Sequence, residues 1–329
     1  MKVLVVGGTR FVGRHIVRAL IDRGHEVTLL HRGATELFPS AEHVLGDRDG
    51  DLAELAGREF DATVDACAYF PRQVRHLLGA LGDGAGRYAL ISSQSVYDEP
   101  EAPWYDESSR LLPAAADDVA VIDDQTYGPL KVACEEAAAD LCGDRALLIR
   151  PTYVVGPWDY TQRFTYWVRR LSEGGEVLGP GDASDPVQVI DARDLAAFVA
   201  LAIEKGLSGP YSLVGPDAVQ TFQQMLDDVA VAVAPSGTRI TWVDRAWLQA
   251  QGEDDASVPL WRGQEHPWVS TSSPARALAD GLRLRSVRQS AAEILAHLQA
   301  GPTSGEDPGL TRVREAELLA AWHAEHPSP

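Results

Sequence analysis

Short apolar runs alternate with helically spaced apolar positions from the first residues of the chain. Lys2-Val3-Leu4-Val5-Val6 suits a parallel strand buried on both faces. From Phe11 to Asp22 the apolar positions Phe11, Val12, Ile16, Val17, Leu20 and Ile21 recur at helical spacing, Gly24 stands where such a helix ends, and Val27-Thr28-Leu29-Leu30 predicts a second strand. Further strands are predicted over Glu42–Leu45, Ala62–Ala68, Tyr88–Ser92 and Ala146–Arg150, with helices over Arg72–Leu81 and Lys131–Leu141. Strands alternating with helices imply an α/β fold on a doubly wound parallel sheet, with its ligand across the carboxyl ends of the strands.

The rhythm loosens after Pro151. An aromatic stretch follows Pro157-Trp158, Gly179-Pro180-Gly181 predicts a turn, and Val187–Ile190 with Arg193–Glu204 reads as a strand and helix returning to the sheet. These patterns divide the chain into a sheet domain over 1–157, rejoined by 187–214, and a smaller, mostly helical lobe over 158–186 and 215–300. Gly301-Pro302-Thr303-Ser304-Gly305 has the composition of a linker, and Arg312–His323 predicts a short amphipathic helix within 301–329.

The first turn carries the first chemical signal. Gly7-Gly8-Thr9-Arg10-Phe11-Val12-Gly13 lies between a strand and a helix, where the chain must turn sharply and let a pyrophosphate approach a helix N-terminus. This predicts dinucleotide binding on a Rossmann-type sheet. The net charge of −19 argues against nucleic-acid and membrane partners. No apolar run reaches the roughly 18 residues of a membrane span, and the N-terminus lacks the pattern of a signal peptide, so a cytoplasmic enzyme is expected. Cys67, Cys134 and Cys142 lie in apolar surroundings without CxxC spacing, which predicts buried thiols and no metal site.

Tyr127-Gly128-Pro129-Leu130-Lys131 places a phenol and an ammonium four residues apart, on one face of a helix. Pro129 is tolerated only in a first turn, so Tyr127 should stand at or just before the helix start. An ammonium beside a phenol favours the phenolate, which suits acid–base work. Ile91-Ser92-Ser93-Gln94-Ser95-Val96-Tyr97 supplies hydroxyls at the end of the fifth predicted strand, where a serine can donate to a substrate oxygen.

With these residues in view, the chain resembles the extended and atypical short-chain dehydrogenase/reductases of the NAD-dependent epimerase/dehydratase-like superfamily. Its GGxxxxG turn resembles a subgroup variously labelled isoflavone-reductase-like, sugar-dehydratase-like or RNA-binding. The likeness also includes Gly46-Asp47, Arg150-Pro151-Thr152 to Gly156-Pro157, and Ile190-Asp191-Ala192-Arg193-Asp194-Leu195. It implies that Ser93, three residues before Val96-Tyr97, forms a catalytic triad with Tyr127 and Lys131. It further implies a cofactor lined by Gly7, Gly8, Thr9, Arg10, Phe11, Val12 and Gly13, with Asp47 at the adenine amine. Ala66, Cys67, Ala68, Pro151 and Tyr153 would complete that lining, together with Tyr127 and Lys131.

Three departures from the family pattern carry information. Arg10 replaces the usual middle glycine, and His31-Arg32 replaces the ribose-binding acid after the second strand. Arginine welcomes a 2′-phosphate that a carboxylate would repel, so NADP is expected over NAD. An asparagine common in the helix after strand four, which supports a proton relay, has no counterpart in Phe70–Leu78. Family dehydratases place acids after the catalytic hydroxyl, where this chain has Gln94 and Ser95. Family epimerases carry a diphosphate-binding arginine seven residues before Asp194, where it has Val187. The expectation is therefore a reductase or alcohol dehydrogenase acting on a small or moderately sized non-nucleotide substrate. That substrate would bind between the lobes near Gln94, Tyr160, Arg163, Tyr166, Trp167 and Trp261, in a monomer or homodimer. An epimerase with tightly held NAD is the alternative, and a non-catalytic nucleotide- or RNA-binding relative ranks below it.

Overall fold

The computed structural model describes residues 1–33, 37–254, 256–262, 268–301, 305 and 307–327. In chain order the strands and helices are β1 (Lys2–Val6), α1 (Phe11–Asp22), β2 (Glu26–His31), β3 (Glu42–Leu45), β4 (Ala62–Asp65), α2 (Pro71–Leu81), β5 (Arg87–Ile91), α3 (Tyr127–Cys142), β6 (Ala146–Pro151), β7 (Tyr153–Val155), α4 (Arg163–Glu173), β8 (Glu176–Pro180), β9 (Val189–Asp191), α5 (Ala192–Lys205), β10 (Gly209–Leu213), α6 (Phe222–Val233), β11 (Arg239–Val243), α7 (Arg245–Ala250), α8 (Ala275–Asp280), α9 (Val287–Ala300) and α10 (Arg312–Glu325).

Two compact units are built from interleaved segments. The first holds Met1–Val154, Ala192–Asp217 and Ser272–Leu284. Its sheet has seven parallel strands in the order β10-β6-β5-β4-β1-β2-β3. The order reverses between β1 and β4, and the crevice outside that reversal is where such folds take ligands. The central strands are apolar on both faces because helices cover both. Val3 and Val5 are fully buried, as are Ile16, Val17 and Leu20 of α1, which packs on α5. Leu4 and Val6 join the cluster that includes Val74 and Leu77 of α2 and Ala138 of α3.

The fourth strand is shorter than its apolar pattern suggests. β4 ends at Asp65, because the Ala66 amide still reaches Val6 O at 3.0 Å but the Cys67 amide turns to Asp65 Oδ1 at 3.2 Å. The strand over Val187–Ile190, expected in the sheet, is β9 of the second unit; α5 and β10 make the return. β10 begins Gly209-Pro210, composition that hides a strand, and it lies at the sheet edge where proline costs least.

The second unit holds Val155–Asp191, Ala218–Thr271 and Arg285–Pro329, and helices dominate it. Gly179-Pro180 continues β8 instead of turning, and the turn falls at Gly181, which has φ +66°. Gly179 is in a strand because a Cβ there would meet Ile240 at 2.8 Å and Trp242 at 3.0 Å on the parallel partner β11. The C-terminal helix α10 belongs to this unit, tied to α4 by the buried Arg170–Glu315 pair at 2.5 Å. Pro302, Thr303 and Ser304 of the expected linker lie outside the described residues. No described helix is long and apolar enough to cross a membrane, and no described cluster of His, Cys, Asp and Glu could hold a metal.

Candidate active site

The predicted site residues of the first unit gather at the carboxyl ends of its strands. The glycine turn follows β1, His31-Arg32 closes β2, Gly46-Asp47 follows β3, Ala66–Ala68 follows β4 and Ser93 follows β5. The turn is built for close approach. Gly7 has φ +83°, a conformation that favours glycine, and a Cβ on it would lie 2.7 Å from Cys67 Sγ. A Cβ on Gly13 would fall 2.1 Å from the Gly7 carbonyl, so only glycine lets α1 start directly on the turn. Arg10 and Arg32 are exposed beside this cradle, as is Asp47, whose Oδ1 accepts the Asp49 amide at 3.0 Å.

Beneath the cradle lies an ion pair that local sequence does not announce. Arg48 Nη1 and Nη2 donate to Asp65 Oδ1 and Oδ2 at 2.5 and 2.7 Å, and the Tyr88 hydroxyl donates to the same carboxylate at 2.7 Å. Burial alone would push Asp65 up; Arg48, Tyr88 and the Cys67 amide together hold it below its ordinary value. Arg48 Nη1 also points to Cys67 Sγ at 3.4 Å, so the β3 loop and the β4 end are locked together beneath the glycine turn. Burial first, and Asp65 second, push the Cys67 thiol up, which disfavours its thiolate.

The His31 ring is engaged within the protein. Its Nδ1 accepts the Gly33 amide at 3.2 Å and its Nε2 meets His43 Nδ1 at 2.8 Å, while His43 Nε2 reaches the Phe38 carbonyl at 3.0 Å. An amide at one end and a carbonyl at the other leave one direction for the chain: His43 donates to Phe38, and His31 donates to His43. Burial, then His43, push the His31 imidazole below its ordinary value. His31 therefore shapes the turn that presents Arg32, with both ring nitrogens engaged within the protein.

Tyr127 is the first residue of α3, and Pro129 falls in that first turn. One turn on, buried Lys131 donates from Nζ to Ala68 O at 2.8 Å and to Ile91 O at 3.0 Å, the carbonyls that follow β4 and end β5. The ammonium lies 5.8 Å from the Tyr127 ring centroid. Ser93 opens a short 3-10 turn over Gln94–Val96, and its Oγ accepts the Ser95 amide at 3.1 Å. Gly128 packs on this turn: a Cβ there would sit 2.2 Å from Ser95 O. The structure thus brings together Tyr127, Lys131 and the turn that carries Ser93. Gln94 is held within the first unit, its Oε1 accepting from the Tyr105 hydroxyl at 3.0 Å and its Nε2 donating to Arg150 O at 2.9 Å. Its carboxamide positions the serine turn. Pro151 is buried at the end of β6 and Tyr153 is half-buried just beyond it.

The aromatic candidates of the second unit divide. Tyr166, Trp167 and Trp261 are core residues, at most 2 % exposed. Trp167 stands edge-on to Tyr166 and Phe222 and donates from Nε1 to Pro259 O at 2.8 Å, while the Arg245 guanidinium lies 5.1 Å from the Trp261 ring. Against the expected substrate contact, all three rings are buried in the core of this unit. Tyr160 and Arg163 are exposed.

A family model described as the NAD dependent epimerase/dehydratase family matches residues 3–85 and 73–214. Among curated proteins, a chloroplast stem-loop binding protein of 41 kDa b from Arabidopsis thaliana is 28% identical over 259 residues, 72% of this chain. The chain spans 63% of that protein's length. A 2-alkyl-3-oxoalkanoate reductase from Stenotrophomonas maltophilia (strain K279a) is 25% identical over 260 residues, 71% of this chain and 76% of that one. Among solved structures, the UDP-N-acetylglucosamine 4-epimerase of Bacillus cereus superposes with a TM-score of 0.68 at 18% identity, over 93% of this chain and 99% of that one, a likeness of fold.

Proposed function

The chain belongs to the NAD dependent epimerase/dehydratase family, and on that premise we propose that it is an NADP-dependent carbonyl reductase or alcohol dehydrogenase acting through Ser93, Tyr127 and Lys131. The observation that carries this reading is the pairing at the start of α3, where Lys131, anchored on the Ala68 and Ile91 carbonyls, stands one turn from Tyr127. The glycine cradle and the exposed Arg10 and Arg32 fit a phosphorylated dinucleotide. A nicotinamide bound there supplies or accepts hydride. Tyr127 gives the proton to the carbonyl oxygen in the reductive direction, Ser93 donates a hydrogen bond to that oxygen, and Lys131 holds the nicotinamide ribose. In this reading the first unit carries the cofactor, and the exposed Tyr160 and Arg163 are candidate substrate contacts.

Arg32 is the residue that would distinguish the two cofactors. A charge-assisted contact to the 2′-phosphate is worth roughly 1.5–3 kcal/mol, so NADPH should bind about ten- to a hundredfold more tightly than NADH. Titration of cofactor fluorescence measures both, and Arg32→Ala should narrow the gap. Equal affinities in the wild type would remove the NADP assignment.

A non-nucleotide substrate is favoured by Val187, a buried apolar residue where a diphosphate partner would be needed. UDP at millimolar concentration should leave the melting temperature unchanged, whereas occupancy a hundredfold above Kd would add about 2.7 kcal/mol of stability. A UDP shift that persists with the cofactor site saturated would instead favour nucleotide-sugar epimerisation. RNA is disfavoured as a ligand by the net charge of −19, and its retardation in a gel at moderate salt would reverse that reading.

A further inference from the structure

The segment after β4 lacks the asparagine common in this family, and the one amide side chain in that stretch is committed elsewhere. Gln73 is buried; its Oε1 accepts the Tyr69 and Phe70 amides at 2.9 and 3.3 Å, and its Nε2 donates to Asp49 at 2.8 and 3.0 Å. What this segment presents to Lys131 is an aromatic ring. The Tyr69 centroid is 4.9 Å from Lys131 Nζ, nearer than that of Tyr127, and the two rings lie 6.5 Å apart at 46°.

We propose that Tyr69 is a positioning residue that fixes the Lys131 ammonium for the nicotinamide end of the cofactor. The inference rests on the reading of Lys131 given above. Ala68 O and Ile91 O take two of the three N–H groups of the ammonium, and the face of the Tyr69 ring attracts the cation from within the roughly 6 Å over which such contacts act. Ala68 and Tyr69 are adjacent, so one backbone segment supplies both a carbonyl and a ring, and Gln73 ties that segment to α2. A lysine carries much rotamer freedom; held this way it loses little more on meeting a ribose hydroxyl.

The test compares whole cofactor with its adenosine end, using the full chain. NADPH and NADH probe the whole groove, while adenosine 2′,5′-bisphosphate and ADP occupy only the end remote from Lys131. Tyr69→Leu should weaken the tighter dinucleotide about fivefold or more and leave the fragments at wild-type affinity, and Tyr69→Phe, which keeps the ring, should restore dinucleotide binding. Wild-type dinucleotide affinity in Tyr69→Leu, or equal weakening of the fragments, overturns the proposal; the second result would mark Tyr69 as a general support of the fold. Lys131→Met separates the two levels. If it too weakens the dinucleotide alone while Tyr69→Leu has no effect, only the role of Tyr69 falls. If it leaves dinucleotide affinity unchanged, the reading of the lysine falls and this proposal with it.

Discussion

Tyr127→Phe is expected to reduce turnover by at least about a hundredfold, the usual scale of general acid–base catalysis, with little change in cofactor affinity. The variant keeps the ring that lies 6.5 Å from Tyr69, and with it the packing at the start of α3, while removing the proton to be delivered. Lys131→Met should lower both turnover and cofactor affinity because the ammonium serves two contacts, and Ser93→Ala should lower turnover alone. The decisive measurement is the single-turnover rate on a carbonyl that the wild type reduces. Wild-type speed in Tyr127→Phe would make this helix start a structural element and refute the proposed chemistry.

Arg48→Leu should be the most destabilising single change near the groove, costing about 3–5 kcal/mol, because it leaves the Asp65 carboxylate buried without its partner. Replacing both members by leucine should recover most of that loss, since burying a charge pair is itself expensive. Urea denaturation of the three proteins gives the comparison. The pH dependence has a definite sign. Asp65 is held below its ordinary value, so the pair stabilises the fold above the usual carboxylate range, and that contribution fades as the pH falls through the folded value. Arg48→Leu should remove this acid-side loss. A variant as stable as the wild type would mean that Tyr88 and the Cys67 amide suffice for Asp65.

The central strands β1, β2 and β4 to β6 were legible because a parallel strand covered on both faces is mostly apolar, as in the runs Lys2–Val6 and Ala146–Pro151, whereas the edge strand β3 is largely polar. β10 was hidden because it is an edge strand that opens with Gly209-Pro210 and carries Ser212, whose hydroxyl is buried against Tyr97 OH at 3.1 Å. At the site, spacing along one helix revealed Tyr127 and Lys131. The Arg48–Asp65 pair and the Tyr69–Lys131 contact stayed silent because topology alone brings their members together. The nearest signal was a pair of opposite charges, Asp65 at the end of an apolar strand and Arg48 in the loop after β3. The buried aromatics Tyr166, Trp167 and Trp261 misled for the complementary reason: a cluster of large rings reads alike whether it lines a cleft or fills a core.

The hydrogen in place of a side chain at Gly128 works as a spacer. Because α3 rests there directly on the Ser95 carbonyl, main chain meets main chain, and a Cβ at 128 would crowd both that carbonyl at 2.2 Å and the Leu112 side chain at 2.7 Å. On the proposed reading, the spacing of proton donor and hydroxyl is set within the first unit by this contact. If that reading holds, a single methyl group at position 128 would disturb the chemistry whatever the substrate.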